Sequence, residues 1–563
     1  MKVVIVGGVA GGATAAARLR RLDEAAQIIV FERTGYVSYA NCGLPYYVGG
    51  VIEDEAELTL QTPESFRARF NVDVRVHHEV TAIDPKGKSV TVRNLETGKT
   101  FTETYDKLVL SPGARPVRLG LPDPLPERVF TLRTVEDTLR IYEYVRKNDP
   151  GSVVIAGGGY IGLELAENLL RQGLQVTLVQ RGHQLLTPLD ADMAAFVHAH
   201  MRRAGVRLIF GHAVQDVSAD ANGVRVLSDN APPLSADMAV IAVGVEPDTK
   251  LAAEAGLALG EKGSIVVDAH MRTSKPDIYA VGDAAQVQNG VTGEAACIPL
   301  AGPANRQGRI AADNICGGNS VYRGSFGSSV VQVFDMTAAS TGLNARAAQA
   351  AGINYDRMYL APMNHASYYP GGKVMSMKVL FEKGTYRLLG AQIVGFDGVD
   401  KRIDVLATAM QAGLTVRQLK DLDLAYAPPY ASAKDPVNLV GYIADNIASG
   451  KLQQFFWDEV EALPRDGSVT LLDVRTPGEY TRGHIEGFRN IELDALRDRL
   501  AELPKGKPIY VHCQSGLRSY VACRILSQNG FACFNLSGGY RQYAAAVTER
   551  ETAAEATLCG MEK

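Results

Sequence analysis

Two glycine-rich loops constrain the fold of this chain most strongly, because each follows a short apolar run and precedes a run typical of a helix. The first loop reads G-G-V-A-G-G at residues 7–12, after apolar residues 3–6 and before a helical run at residues 13–22. The second loop reads G-G-G-Y-I-G at residues 157–162. Glycine lets the backbone approach a pyrophosphate that binds at the N-terminus of the helix. The sequence therefore predicts two dinucleotide-binding domains of the Rossmann type.

The residues that end the next strand distinguish the two dinucleotide sites. A strand predicted at residues 28–31 ends in Glu32, whose carboxylate can bind ribose hydroxyls. A strand predicted at residues 176–179 ends in Gln180 and Arg181 instead. An arginine here can accept the 2′-phosphate of NADPH, and a solvated surface charge is a nearly equal alternative. The second site therefore favours NADPH without excluding NADH.

Two sets of residues are expected to hold the dinucleotides. Val9 replaces the usual middle glycine of the first loop, which makes that loop less specific than the second. Glu164 is expected near a nicotinamide ring, or else in a cap or pair within its own helix. The first set is Gly7, Val9, Ala10, Gly11, Gly12, Glu32, Arg33 and Asn41. The second set is Gly157, Gly159, Tyr160, Ile161, Gly162, Glu164, Gln180 and Arg181.

Composition and charge exclude several classes of function. The net charge of -4 provides no basic field for nucleic acid or an anionic membrane. No apolar run reaches the roughly 18 residues of a membrane span, and the chain begins directly with a strand rather than a signal peptide. Seven cysteines without a paired pattern indicate thiols rather than structural disulfides. We therefore expect a cytoplasmic protein that acts on small molecules and has no metal site.

The length of 563 residues predicts three or four domains at the usual size of about 100–200 residues. Strand-and-turn segments at residues 108–113 and 238–244 indicate that the second nucleotide-binding domain is inserted into the first. The predicted parts are residues 1–112 and 244–321 for the first nucleotide-binding domain, 113–243 for the second, 322–450 for an α+β interface domain with two helices, 451–456 for a linker, 457–548 for a C-terminal α/β domain, and 549–563 for a tail. The fold class is therefore α/β, with two Rossmann-like domains.

Three motifs resemble those of the coenzyme A-disulfide reductases, which are single-cysteine members of the flavin disulfide reductase superfamily. They are G-G-V-A-G-G at the start, S-Y-A-N-C-G-L-P-Y at residues 38–46 and Y-A-P-P-Y at residues 426–430. A fourth motif, S-K-P-D-I-Y-A-V-G-D-A at residues 274–284, resembles the segment with which flavin disulfide reductases hold FAD. The resemblance covers roughly residues 1–450. It implies FAD in the first nucleotide-binding domain, with Asp283 on the ribityl chain, and NADPH or NADH in the second.

Cys42 is the redox nucleophile that this resemblance implies, in a mixed disulfide with coenzyme A. Small, turn-forming neighbours expose its thiol, and Pro45 keeps the segment out of a sheet. Because neither Val37 nor Tyr47 is a cysteine, a local disulfide is impossible and the sulfur partner comes from a substrate. A nearby flavin or helix dipole would favour the thiolate. Without the other motifs, a cysteine packed as a small apolar residue would be the better interpretation.

The resemblance also implies a coenzyme A site and a homodimer. The residues that match coenzyme A contacts are Thr14, Arg18, Arg21, Ser38, Asn41, Asn305 and Lys434. Arg69 is added because the family can use a basic residue near Phe70. Tyr368 and Tyr426 match tyrosines that the partner subunit places near the cysteine, so the resemblance makes residues 322–450 a dimerisation domain. The alternative for these aromatic clusters is core or dimer packing.

Residues 457–548 resemble a rhodanese domain. Four motifs occur in the right order, namely L-L-D-V-R-T-P-G-E-Y, G-H-I-E-G-F-R-N-I, V-H-C-Q-S-G-L-R-S and L-S-G-G-Y. A strand at residues 508–512 delivers Cys513 to a loop before a helix at 517–528, and both the helix N-terminus and Arg518 lower the pKa of a thiol. The loop's N–H groups can hold a persulfide, and its six residues fit sulfur better than phosphate. Asp473 and Arg475 are expected to stabilise the fold.

Together these features predict an NAD(P)H-dependent reductase of coenzyme A disulfide, coenzyme A persulfide or polysulfide, fused to a sulfurtransferase. Cys42 would reduce sulfur with flavin electrons, and Cys513 would carry sulfane sulfur. One alternative is an NADH oxidase or peroxidase with a cysteine sulfenic acid, although such peroxidases have a histidine where this chain has Ala10. Another is a persulfide carrier or redox sensor. Cys559 has no assigned role.

Overall fold

The computed structural model covers most of the chain. It describes residues 1–122, 124–229 and 231–559, and the side chains up to residue 552. Two compact units are present, the first formed by Met1–Gly182 and Gly205–Gly327 and the second by His183–Ala204 and Ser328–Lys563.

A five-stranded parallel sheet forms the centre of the first nucleotide-binding domain. Its strands, in spatial order, are Ile278–Ala280, Lys107–Leu110, Lys2–Val6, Gln27–Phe31 and Asp73–Arg75. The inner strands are almost continuously apolar because both faces of the sheet are covered, one by the helices Ala10–Leu22 and Ala301–Ile315 and the other by the antiparallel strands His78–Asp84 and Ser89–Asn94. The helices Ala10–Leu22 and Ala301–Ile315 pack closely, since a Cβ on Gly308 would lie 2.3 Å from the Gly11 carbonyl oxygen.

The second nucleotide-binding domain contains another five-stranded parallel sheet. Its strands are Arg207–Phe210, Gln175–Gln180, Ser152–Ala156, Met238–Ile241 and Val129–Phe130. Its helices are Val135–Asn148 and Tyr160–Arg171. All five strands lie in sequence between two strands of the first sheet, as an inserted domain requires. Two Rossmann-like sheets are thus present, as predicted.

Smaller elements complete the first unit. Antiparallel sheets are formed by His78–Asp84, Ser89–Asn94 and Thr100–Thr104, by Val214–Asp220, Gly223–Ser228 and Leu234–Ala236, by Ala114–Pro116 with Val245–Pro247, and by Val287–Gln288 with Ala295–Ala296. Short helices are Leu44–Val48, Pro63–Phe70 and Lys250–Glu254.

The second unit contains an antiparallel and a parallel five-stranded sheet. The antiparallel sheet runs Ser329–Val333, Met336–Gly342, Leu388–Gly395, Ser376–Glu382 and Tyr355–Leu360, with helices Ala191–Arg203, Ala345–Ala350, Val399–Gln411 and Pro436–Ala448. The parallel sheet runs Gln454–Phe455, Cys533–Leu536, Ile509–His512, Thr470–Asp473 and Arg489–Asn490, with helices Pro477–Thr481, Leu517–Gln528 and Gly539–Cys559. These are the predicted α+β and C-terminal α/β folds.

Several helix bounds differ from the prediction. The helices after the glycine loops begin at Ala10 and Tyr160 rather than at residues 13 and 164, because loop residues form their first turns. Residues 44–48 are helical despite Pro45, which lies in the first turn, where its missing N–H costs nothing. The interface domain has a third α-helix, Ala345–Ala350, capped by the Asn344 side chain.

The C-terminal tail also differs from the prediction. The helix Gly539–Cys559 continues past residue 549, where the tail was predicted to begin. Glu549 accepts a 2.9 Å hydrogen bond from the Arg202 guanidinium, which explains the continuation. The side chain of Cys559 lies outside the described residues. Among the residues described, no helix is both long and apolar enough for a membrane span.

A buried ionic cluster joins three segments of the second unit. The Nζ of Lys378 lies 2.9 Å from Asp190 and 3.0 Å from Asp192. Asp192 also accepts hydrogen bonds from the hydroxyl of Tyr359 and, at 3.1 Å, from the indole of Trp457. Burial acts to lower the pKa of Lys378, but Asp192, Tyr359 and Asp190 together outweigh this and leave that pKa above its ordinary value. The helix Ala191–Arg203, the antiparallel sheet and the C-terminal domain therefore share one set of charges.

We expect Lys378→Met to lower the free energy of unfolding of this unit by about 3–5 kcal/mol, because two carboxylates would remain buried without a cation. Trp457 is the single tryptophan and binds the cluster, so its fluorescence during urea denaturation measures the change locally. Lys383→Met, at an exposed position, is the control and should change the value by less than about 0.5 kcal/mol. Equal urea midpoints for the two variants would contradict a stabilising role of the cluster.

Candidate functional site

The first glycine loop is built for close approach of the backbone. Gly7 has a φ of +91°, and a Cβ on Gly12 would lie 1.9 Å from the Gly7 carbonyl oxygen. Only glycine therefore lets the helix begin this close to the strand. Glu32 is buried, and its carboxylate accepts a 2.8 Å hydrogen bond from the N–H of Gly8. The loop and the carboxylate thus lie side by side at the carboxyl end of the sheet, where a dinucleotide fits.

The second glycine loop repeats this construction with one chemical change. A Cβ on Gly162 would lie 2.0 Å from the Gly157 carbonyl oxygen, and nothing lies within 4 Å of the corresponding position on Gly159. The N-terminus of the helix Tyr160–Arg171 therefore borders open space. Gln180 accepts a 2.9 Å hydrogen bond from the N–H of Gly158. A neutral amide thus takes the place that Glu32 has in the first loop, and the exposed Arg181 follows it.

Arg133, which the sequence did not single out, connects two predicted FAD residues. Its guanidinium donates to the carboxylate of Asp283 at 2.7 Å. With its side-chain nitrogen oriented towards Arg133, Asn41 donates a 3.0 Å hydrogen bond to the backbone oxygen of that residue. A third predicted residue, Arg33, forms a 2.8 Å ion pair with Asp248. Arg133 lies far from both partners in sequence, so no local pattern could have identified it.

Cys42 lies in the turn Asn41–Gly43, directly before the helix Leu44–Val48, and is exposed. Neighbouring atoms still desolvate its thiol and raise its pKa, and the carboxylates of Glu164 and Asp283 raise it further. Arg133 acts in the opposite direction. The polypeptide itself thus disfavours the thiolate, contrary to the effect expected from a helix dipole.

Glu164 lies in the helix Tyr160–Arg171 but is bound from outside it. Its carboxylate accepts a 3.2 Å hydrogen bond from the hydroxyl of Tyr46, four residues after Cys42. Burial raises the pKa of Glu164 to about 7. The prediction that Glu164 caps or pairs within its own helix is therefore incomplete, because its partner comes from the cysteine segment.

The structure places some of the predicted coenzyme A residues together. Thr14, Arg18 and Arg21 lie at helical spacing on Ala10–Leu22, so they share one side of that helix. Thr14 donates a hydrogen bond to Asn305, and Arg18 forms a 2.7 Å ion pair with Asp313.

The remaining predicted coenzyme A residues belong to other elements of the chain. Ser38 precedes the cysteine turn and has a φ of +50°. Arg69 lies on the separate helix Pro63–Phe70 and is exposed. Lys434 is an exposed residue of the second unit, just before the helix Pro436–Ala448.

Tyr368 and Tyr426 form an exposed pair. Their hydroxyl oxygens are 2.7 Å apart, and the two residues are 73% and 46% exposed. The interpretation of these tyrosines as core residues is therefore wrong. A surface pair of hydroxyls is available to a ligand or to another protein surface.

Cys513 lies in a loop whose donors point at its sulfur. The thiol is buried and accepts hydrogen bonds from the N–H of Gly516 at 3.1 Å and the hydroxyl of Ser519 at 3.2 Å. A Cβ on Gly539 would lie 2.5 Å from the Cys513 carbonyl oxygen. The second glycine of L-S-G-G-Y therefore lets that segment support the loop, and Ser519 is a further residue that the sequence reasoning missed.

Arg518 is held by a carboxylate beside this loop. Both terminal nitrogens of its guanidinium donate to Glu479 at 2.7 Å, which lowers the pKa of Glu479 to about 2. Arg518 is thus paired with Glu479. The sequence had suggested instead that its charge acts on the thiol of Cys513.

A cleft of about 260 Å³ borders the Cys513 loop. It is lined by Arg475, Glu479, Arg482, Gly483, Gln514 and Tyr540. Arg475 is buried, lies 2.7 Å from Asp473, and stacks over the ring of Tyr540 at 4.1 Å. These contacts support the predicted structural role of Asp473 and Arg475, and they place Arg475 in the wall of the cleft as well.

Comparison with known families accounts for nearly the whole chain. Residues 1–308 match the pyridine nucleotide-disulphide oxidoreductase family, residues 328–436 match the dimerisation domain of that family, and residues 456–546 match the rhodanese-like domain.

Three similar proteins agree with these matches. A coenzyme A disulfide reductase of Staphylococcus aureus is 37% identical over 79% of this chain and 99% of its own length. The crystal structure of reduced CoADR-RHD from Bacillus anthracis has 47% identity and a TM-score of 0.94, over 98% of both chains. The NAD-dependent persulfide reductase from A. fulgidus has 38% identity and a TM-score of 0.90, over 96% of this chain and 100% of that one.

The two glycine loops, the inserted second sheet and these matches lead to the same assignment. This chain belongs to the pyridine nucleotide-disulphide oxidoreductases, uses FAD and NAD(P)H, and carries a rhodanese-like domain.

Proposed function

We propose that this chain reduces coenzyme A disulfide, coenzyme A persulfide or polysulfide with NAD(P)H, and that its rhodanese-like domain transfers sulfane sulfur. The observation that carries the proposal is Cys42, an exposed thiol on a turn beside Asp283 and Glu164, without a cysteine at either position five residues away. Similar proteins named for coenzyme A disulfide and persulfide reduction support this choice of substrates.

The polypeptide supplies binding and sulfur chemistry. The loops at residues 7–12 and 157–162 hold the two pyrophosphates, and Glu32 holds a ribose. The chemistry that bound FAD would supply is the transfer of two electrons from the nicotinamide to sulfur. The Cys42 thiolate attacks one sulfur of coenzyme A disulfide and releases one coenzyme A thiolate. Two electrons then break the mixed disulfide, which leaves the Cys42 thiolate and a second coenzyme A thiolate, and each released coenzyme A takes up one proton.

A homodimer completes this proposal. The match of residues 328–436 to a dimerisation domain and the exposed hydroxyl pair of Tyr368 and Tyr426 support it. In the dimer these hydroxyls would face the cysteine site of the other copy and donate hydrogen bonds to a sulfur anion. The helical face with Thr14, Arg18 and Arg21, together with Asn305, would bind the coenzyme A.

Cys513 would carry the sulfane sulfur. Attack of its thiolate on thiosulfate forms the Cys513 persulfide and releases sulfite. The donors from Gly516 and Ser519 that now point at the thiol would stabilise the persulfide anion. Joining the two activities in one chain raises the effective concentration of one site for a sulfur carrier loaded at the other.

We expect Cys42→Ser to reduce anaerobic NAD(P)H oxidation with coenzyme A disulfide, coenzyme A persulfide and polysulfide by more than about 100-fold, because serine cannot form a mixed disulfide. Stopped-flow absorbance at 340 nm measures the rate. Cys316→Ser, which changes a partly buried cysteine at the end of the helix Ala301–Ile315, is the matched control and should retain full activity. Sulfur-independent NADH oxidation that begins only when air is admitted would favour the oxidase alternative instead.

We expect Cys513→Ser to abolish sulfur transfer from thiosulfate and to leave coenzyme A disulfide reduction within about two-fold of the wild type. Sulfite release and NAD(P)H consumption report the two activities separately. Cys533→Ser, in the same domain, is the control. If Cys513→Ser left turnover with both thiosulfate and polysulfide unchanged, coupling between the two activities would be refuted. A stable Cys513 persulfide without steady-state turnover would favour the carrier alternative.

We expect Gln180→Glu to shift the ratio of kcat/KM for NADPH and NADH towards NADH by about 10-fold or more. A carboxylate at this position would repel a 2′-phosphate and accept a hydrogen bond from a 2′-hydroxyl. It would also keep the hydrogen bond from Gly158, as Glu32 does with Gly8. Arg181→Gln tests the other half of the argument, and an unchanged ratio in both variants would refute 2′-phosphate recognition here.

A further inference from the structure

The segment that carries Cys42 contacts one face of the helix Tyr160–Arg171, which belongs to the second nucleotide-binding domain. Glu164, Asn168 and Gln172 are spaced by four residues along Tyr160–Arg171 and its cap, so they share one face. Glu164 accepts the Tyr46 hydroxyl, and Gln172 donates to the Gly49 carbonyl oxygen at 2.8 Å.

Asn168 fixes how closely the two helices approach. A Cβ on Gly49 would lie 1.9 Å from the side-chain oxygen of Asn168, so only glycine permits this distance. The amide nitrogen of Asn168 is itself held by the Glu164 carbonyl oxygen at 2.8 Å. The helix that starts at the second glycine loop is therefore rigidly connected to the segment that carries Cys42.

We propose that Tyr46 and Glu164 are positioning residues for Cys42, and that the charge on the Glu164 carboxyl controls how readily the thiol ionises. Tyr46 follows Cys42 by four residues, in the helix Leu44–Val48 that begins directly after the turn Asn41–Gly43, and its hydroxyl makes the contact with Glu164. The proposal rests on the proposed function only in taking Cys42 as the redox thiol.

The charges that act on Cys42 come from several elements. Glu164 lies on the nicotinamide-domain helix, Asp283 in the turn Gly282–Ala284, and Arg133 just before the helix Val135–Asn148. Arg133 and Asp283 pair with each other at 2.7 Å, so their charges largely offset. Among the described residues no cation pairs with Glu164, which is bound by the neutral hydroxyl of Tyr46.

The groups that act on Glu164 explain why its charge is variable. Burial raises its pKa to about 7, the hydrogen bond from Tyr46 acts to lower it, and Glu167 raises it further. Glu167 is itself paired with Arg171 at 2.7 Å. Below neutral pH Glu164 is mainly protonated and adds no charge near the thiol, whereas above neutral pH its carboxylate opposes the thiolate.

The rate of Cys42 alkylation by iodoacetamide as a function of pH tests this proposal. The FAD-loaded enzyme is alkylated between pH 6 and 10, and mass spectrometry of the Cys42 peptide separates it from the other cysteines. We expect Glu164→Gln to move the midpoint of the profile to lower pH by on the order of half a unit. Tyr46→Phe should move it in the same direction by less, because Glu164 then keeps its proton to a higher pH.

Gln172→Ala is the matched control, because it removes an uncharged contact with the same segment. It should leave the midpoint unchanged, and thermal unfolding should confirm that all three variants fold. Equal midpoints in the wild type and Glu164→Gln would overturn the proposal. Equal shifts in Glu164→Gln and Gln172→Ala would overturn it too, because a packing effect would then be sufficient. Since alkylation needs no turnover, this outcome is independent of which sulfur substrate the enzyme uses.

Discussion

Contact between backbone atoms at the start of two helices is the constraint on which the rest of this structure depends. In both loops, a Cβ on the last glycine would lie about 2 Å from the carbonyl oxygen of the first, at Gly12 with Gly7 and at Gly162 with Gly157. Any larger residue would force the helix away from the strand. The free N–H groups of the helix would then no longer face the carboxyl end of the sheet, where the dinucleotide binds.

Backbone contacts alone bring each glycine loop close to its strand. The residue at the end of the strand that follows each helix is therefore free to differ between the two dinucleotide sites. Glu32 and Gln180 each accept a hydrogen bond from an N–H in the adjacent loop, yet one carries a charge and the other does not. The loop geometry is thus preserved while the electrostatic environment of the ribose changes. The same fold therefore provides two dinucleotide sites that differ in charge where the ribose binds.

Local signals in the sequence predicted the parts of the fold that depend on neighbouring residues. Both strand–loop–helix units were recognisable, although each helix starts three or four residues early because loop residues adopt helical conformation. The helix Leu44–Val48 was not predicted, because the turn-forming residues around Cys42 and the exclusion of a sheet by Pro45 indicated a loop. Contacts between distant residues gave no local signal. Tyr46 and Glu164 are 118 positions apart, and Arg133 and Asp283 are 150 apart. Such pairs form only when separate elements pack.

Local donors surround one cysteine and distant charges act on the other, and this makes the two thiols chemically different. Cys513 is buried and receives hydrogen bonds from Gly516 and Ser519, which suits a sulfur that must remain an anion while it stores a second sulfur atom. Cys42 is exposed and faces carboxylates, which suits a thiol that must not stay ionised between turnovers and must release its product. In the proposed function, sulfur would be stored in one domain and exchanged in the other, and the difference would arise from which groups the fold places within reach of each cysteine.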